Sequence, residues 1–204
     1  MTDTPNILVL YYSATGNIAQ MAHSLAEGAG SSGASVRVRH VAETAPAAAI
    51  ASNPKWQGFV DTCSDGFAEL PDIEWCDGIA LGSPTRFGNS ASQLRAFLDT
   101  TGGLWAQGAL SRLVGTSFTS ASTQHGGLES TILSMNNIFY HWGSVIMPLG
   151  YLNSFVRKES GNPYGASLYA SSANTSQETH LQAARLQGER LADVTRAIMS
   201  TKNR

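Results

Sequence analysis

A chain of 204 residues with 42% apolar side chains is long enough to bury a sizeable core, and nothing in it demands a second domain. Its 13 basic and 15 acidic residues are scattered, leaving a net charge of −2 and no basic stripe of the kind a nucleic acid needs. No apolar run approaches the ~20 residues of a membrane span, the short polar start does not read as a signal peptide, and Cys63 and Cys76 suit neither a disulfide framework nor a metal site; a cytoplasmic protein without a metal is expected.

Residues 7–12 are a continuous apolar run, the pattern of a strand buried on both faces. Ile18, Met21, Ala22, Leu25, Ala26 and Ala29 then share one face of a helix. Gly28-Ala29-Gly30-Ser31-Ser32-Gly33 has the glycine spacing of a dinucleotide fingerprint, but it follows a helix and precedes a strand. That is the wrong order, and it reads as a helix stop and turn. Val36, Val38 and His40 alternate with Arg37, Arg39 and Val41, as in an edge strand. Residues 43–75 show no clear period and are expected to hold short helices, at 47–52 and 55–59, in a long excursion.

Residues 78–83 are the next apolar strand, and Ala91, Leu94, Phe97 and Leu98 mark its helix. Residues 113–119 are a fourth strand, followed by a helix bearing Leu128, Ile132, Met135 and Phe139. A fifth strand is expected at 145–149, with residues 164–170 resuming the sheet after an irregular segment. A closing helix shows Leu181, Ala184, Gly188, Leu191 and Ile198 on one side. Alternating strands and helices predict an α/β, doubly wound parallel sheet of five strands with helices on both faces. With the polar strand second, the order is 2-1-3-4-5: a flavodoxin-like arrangement, in one domain over residues 1–204.

In such a sheet, ligands bind beyond the carboxyl ends of the strands. The first loop there is Ser13-Ala14-Thr15-Gly16-Asn17-Ile18, between a buried strand and a helix start, where free N–H groups and the helix dipole favour an anion. Without Lys or Arg it is not the lysine-bearing triphosphate loop, and it reads as a phosphate cradle. A plain helix cap by Thr15 or Asn17 is the alternative. The second loop, Ser83-Pro84-Thr85-Arg86-Phe87-Gly88-Asn89, offers consecutive N–H groups from Thr85 to Phe87 beside a ring and a cation, which suits the polar edge and flat face of an isoalloxazine. The third, Ser120-Ala121-Ser122-Thr123-Gln124-His125-Gly126-Gly127, lets a chain pass close to a ring while Gln124 and His125 offer polar contacts; His125 can equally be a solvated loop residue. Trp105, in Gly102-Gly103-Leu104-Trp105, reads first as core or interface packing, and His141 as a helix-end residue.

With these loops placed, the chain resembles the WrbA family of FMN-dependent NAD(P)H:quinone oxidoreductases. The resemblance is carried by the second loop with Gln93, Arg95, Phe97-Leu98-Asp99, Thr101-Gly102-Gly103-Leu104-Trp105 and Gly108-Ala109-Leu110, and by Thr123-Gln124-His125-Gly126-Gly127, Glu129-Ser130-Thr131 and Pro163-Tyr164-Gly165-Ala166. It runs from Ile7 to about Met199 and is weak only over residues 43–75. The family's FMN contacts fall on Ser13, Ala14, Thr15, Gly16, Asn17 and Ile18, then on Pro84, Thr85, Arg86, Phe87 and Gly88, then on Ser120, Ala121, Ser122, Thr123, Gln124 and His125. Trp105 and His141 match residues that border the cavity over the flavin, with His141 in a catalytic as well as a cofactor-contacting position. The resemblance further implies a homotetramer in which a neighbour supplies part of that cavity, NADH or NADPH as donor, a quinone as acceptor, and ping-pong two-electron reduction to the hydroquinone. Two positions depart from the family. Thr15 stands where relatives commonly have a tyrosine implicated in pyridine-nucleotide contact, making it a candidate substrate-side residue beside Trp105. Trp142-Gly143-Ser144 stands in place of His-Gly-Met. Rival expectations are a flavodoxin-like electron carrier with no small-molecule substrate of its own and, with little support from the charge balance, a protein-interaction module.

Overall fold

The computed structural model describes residues 4–151, 153–169 and 177–202. Strand β1 (Asn6–Tyr11) lies at the centre, parallel to β2 (Ser35–His40) on one side and β3 (Gly78–Pro84) on the other; β4 (Val114–Ala121) and β5 (Val145–Ile146) follow outward. The order is 2-1-3-4-5, as expected, with β2 at the edge. Between the strands run α1 (Asn17–Ser31), the short helices α2 (Ala47–Ala51), α3 (Pro54–Thr62) and α4 (Leu70–Trp75), then α5 (Ser92–Asp99), α6 (Gly102–Ala106) and α7 (Leu128–Trp142); α8 (Gln177–Lys202) closes the chain.

Because successive strand residues face opposite ways, β1 serves two cores. Ile7, Val9 and Tyr11 pack with α1 and α8, whereas Leu8, Leu10 and Tyr12 pack with residues of α4, α5 and α7. Helices thus cover both faces, which is why β1 and β3 are apolar at almost every position.

Three expectations need correction. The fifth strand is only two residues long: Val145 and Ile146 pair with Val114 and Gly115, and the Met147 N–H still reaches the Gly115 carbonyl at 2.7 Å. Pro148 has no N–H to continue the ladder and Gly150 turns the chain at φ 69°, so the predicted run to residue 149 stops. The remaining edge of β4 is taken by β6 (Ser167–Tyr169), whose residues pair in parallel with Thr119, Ser120 and Ala121. This is the resumed strand expected at 164–170, of which residue 170 lies outside the described residues. Because β6 extends the pairing, Ser120 and Ala121 end a strand instead of opening a loop.

The second correction concerns Gly28 and Gly30, which lie inside α1; only Gly33, at φ 78°, makes the turn. A Cβ at Gly28 would sit 2.0 Å from the Arg185 carbonyl oxygen, and one at Gly188 would sit 1.9 Å from the Leu25 carbonyl oxygen. These paired glycines let the backbones of α1 and α8 touch.

The third concerns residues 43–75: the short helices expected at 47–52 and 55–59 form as α2 and α3, but α4 was not expected and the segment is more tied down than its sequence suggests. Asn53 caps α3 through its side chain, Glu69 and Asp72 form a capping box on α4, and Arg37 and Arg39 of β2 each bond the Asp72 carboxylate at 3.0 Å. Phe67 bridges His40, whose N–H and carbonyl bond Gly66 and Ala68, so the end of the edge strand is covered. Among the described residues, no helix is long and apolar enough to cross a membrane.

Candidate flavin site

Three loops at the carboxyl ends of β1, β3 and β4 converge on a hollow of about 190 Å³. The first contributes Ser13, Ala14, Thr15, Asn17 and Ile18, the second Pro84, Thr85 and Arg86, and the third Ser120, Ala121 and Ser122. Every one of these was a candidate from sequence. Arg86 is the only charged side chain among them, its guanidinium bonded among the described residues just to the Thr85 carbonyl at 3.1 Å, and none of these lining residues is a carboxylate.

Gly16 begins α1 in the left-handed conformation, φ 92°, with no side-chain cap and no acid in the first turn. The capping alternative for Thr15 or Asn17 is therefore excluded. The first-turn N–H groups, which can have no partner within the helix, have no side-chain cap among the described residues. An anion placed there gains their hydrogen bonds and the positive helix end. Ser13 shapes the loop: its Oγ accepts the Gly16 N–H at 3.0 Å, and its own N–H reaches His40 Nε2 at 3.3 Å. Burial lowers the His40 pKa, and Tyr11, Tyr12, Phe59 and Phe67 surround the imidazole. Phe59 also stands beside Gly16, so α3 backs the cradle.

The second loop departs from expectation. Its N–H groups are not all free: Thr85 donates to Ser120 at 2.8 Å and Arg86 to Asn89 at 2.7 Å. The Asn89 N–H returns to the Arg86 carbonyl, and Phe87 and Gly88 at the tip both have positive φ, 52° and 78°, the pattern of a type I′ turn. Phe87 is the one non-glycine with positive φ among the described residues, and its ring is fully exposed. Gly88, Thr123, Gln124 and His125 do not line the hollow; the last three are exposed.

His141 and Trp105 lie elsewhere. His141 sits at the last turn of α7 in a separate hollow of about 540 Å³ with Arg95, Asp99 and Asn137, and the Trp105 indole N–H donates to its carbonyl at 2.9 Å. Since α7 starts against Thr85 and Gly88, the ~1.5 Å rise per residue puts His141 roughly 20 Å further along. Within one chain, His141 does not meet the cavity it was expected to border.

Sequence reading missed Glu43. Its carboxylate accepts from the Tyr12 hydroxyl at 2.7 Å, Trp56 Nε1 at 2.9 Å, Gln93 Nε2 at 2.7 Å and the N–H groups of Thr44 and Ala45, both at 2.8 Å. Burial raises its pKa, but these hydrogen bonds outweigh that and hold it below the usual value. One side chain thereby ties the strand end before Ser13 to α3 and α5. No local pattern announces it; the one available hint is an acid just beyond a strand that ends in the buried His40.

Residues 9–137 match the flavodoxin family model. A protein from Azorhizobium caulinodans named NAD(P)H dehydrogenase (quinone) is 45% identical over 193 residues, covering 91% of this chain and 94% of that one. The chain belongs to the WrbA family of flavodoxin-fold proteins. A relative of the same name from Paracoccus denitrificans, 38% identical, is matched over 100% of this chain and 99% of its own. In fold, the chain is similar to a solved WrbA-like flavodoxin from Agrobacterium tumefaciens, with a TM-score of 0.68 at 21% identity, covering 95% of this chain and 99% of that one.

Proposed function

We propose that this WrbA-family chain works as one flavodoxin-like FMN-binding domain that catalyses two-electron reduction of quinones by NADH or NADPH. The observation that carries the reading is the uncapped start of α1, opening into a carboxylate-free hollow lined by all three candidate loops. Ser13, Thr15 and Asn17 offer polar side chains to a phosphate there, and Gly16 allows its close approach. Thr85 and Arg86 face the same hollow from the other side, Arg86 as a cation with no ion pair among the described residues, suited to charge that develops on reduction. Bound FMN would supply the redox chemistry of a two-electron exchange between NAD(P)H and a quinone, in two separate half-reactions. The protein's part is to bind, orient and shield. The names of the relatives support both substrates.

Trp105 and His141 are assigned to the substrate side of a neighbouring subunit's site in a homotetramer. Their exposure and their distance from their own chain's hollow support that assignment. The location is assigned to the cytoplasm. FMN-loaded protein is expected to bleach on addition of NADH or NADPH and to regain colour when benzoquinone is added; absence of both changes overturns the proposal. Thr15 favours a second reading, an electron carrier, which predicts a stable one-electron stage in a reductive titration and no turnover with NAD(P)H.

A further inference from the structure

We propose that Thr131, which does not line the flavin hollow, dictates the direction of the Thr85 hydroxyl and so makes Thr85 a hydrogen-bond donor to bound flavin. Thr85 Oγ1 accepts the Gly88 N–H at 3.2 Å and the Thr131 hydroxyl at 2.8 Å. A threonine oxygen has two acceptor positions and one proton, so both positions are filled and only the proton is uncommitted. Reversing the Thr85–Thr131 bond would strand the proton of Thr131, which is fully buried on α7 and has Thr85 Oγ1 as its one side-chain partner among the described residues. A buried donor without an acceptor is what folded proteins avoid, and that fixes the polarity. Thr85 has no acceptor of its own among the described residues, and it lines the hollow. Its proton is therefore presented to a ring nitrogen or carbonyl oxygen of the ligand.

Gly127 makes the arrangement possible. A Cβ there would lie 3.0 Å from Gly88 Cα and 3.3 Å from Thr85 Oγ1, so the start of α7 approaches the turn only as glycine. Thr131 is thus a positioning residue acting through Thr85.

The inference rests on FMN occupying this hollow, and titration of apoprotein with FMN, followed by flavin fluorescence, separates the two claims. Thr131→Val removes the hydroxyl and keeps the shape; it leaves the Thr85 proton undirected and is expected to weaken FMN binding by roughly three- to tenfold, the upper figure being the worth of one hydrogen bond, with apoprotein melting as a control. Thr131→Ser keeps the hydroxyl and should stay within about twofold of wild type. In a Thr85→Val background, Thr131→Val should cost nothing further. If Thr131→Val fails to fold, Thr131→Ala takes its place in the same cycle. Wild-type affinity in the hydroxyl-deleted variant, equal losses in the serine and valine variants, or losses that add with Thr85→Val would each overturn the inference. No FMN binding by the wild type would instead overturn the proposed function.

Discussion

Glu43 gathers five donors from four parts of the chain, and removing it leaves the Tyr12 hydroxyl and the Trp56 indole N–H without their acceptor. Glu43→Ala is expected to cost about 1–3 kcal/mol in chemical denaturation, and to weaken FMN binding because Tyr12 precedes Ser13. Glu43→Gln should recover part of the loss, since an amide oxygen still accepts. Two buried histidines set a pH dependence of their own. Burial holds His40 and His180 below the ordinary value of 6.5. The unfolded chain therefore takes up protons near pH 6.5 that the native state refuses. Stability is full above pH 6.5 and falls as the pH drops below it, by up to about 1.4 kcal/mol per unit for each histidine. Melting temperature measured across this range checks the sign; a rise on acidification would contradict it. These residues were opaque in the sequence for one reason. Glu43 meets Tyr12 across 31 positions and Gln93 across 50, and no periodicity encodes such distances.

At the scale of elements, the glycines joining α1 and α8 give a prediction whose sign is diagnostic. Alanine in place of a mid-helix glycine ordinarily stabilises by roughly 0.5–1 kcal/mol. At Gly28 or Gly188 the added methyl meets backbone oxygen at 2.0 or 1.9 Å, and backbone cannot rotate away. Either Gly→Ala change is expected to destabilise by about 1–3 kcal/mol, as overpacking does. The glycine run does stop the helix, after Ser31 and with the turn at Gly33, but composition alone does not tell that Gly28 within it also lets a neighbour in. The strands and long helices were legible, because burial on both faces makes β1 and β3 uniformly apolar and burial on one face gives α1 and α7 a helical period. The split fifth strand was only partly so. Pro148 signals the break, but that β6 would complete the edge of β4 follows from tertiary pairing.

Across the whole molecule, the sheet order determines where the chemistry sits. With β1 and β3 adjacent and their crossovers on opposite faces, the loops after them part and leave a crevice, and the end of β4 floors it. All the lining residues are therefore legible in the sequence as candidates at strand ends, although Ser120 and Ala121 belong to the strand and not to the loop, whereas the place of His141 is not, since a helix's far end is set by its length and direction. The central claim is that the uncapped start of α1 holds a phosphate. It is tested most directly by comparing FMN with riboflavin in equilibrium titrations of the apoprotein. The two share the ring and ribityl chain and differ only in the phosphate. Charge-assisted bonds to the first-turn N–H groups predict that FMN binds on the order of 100-fold more tightly than riboflavin. Equal affinity for the two would contradict the account.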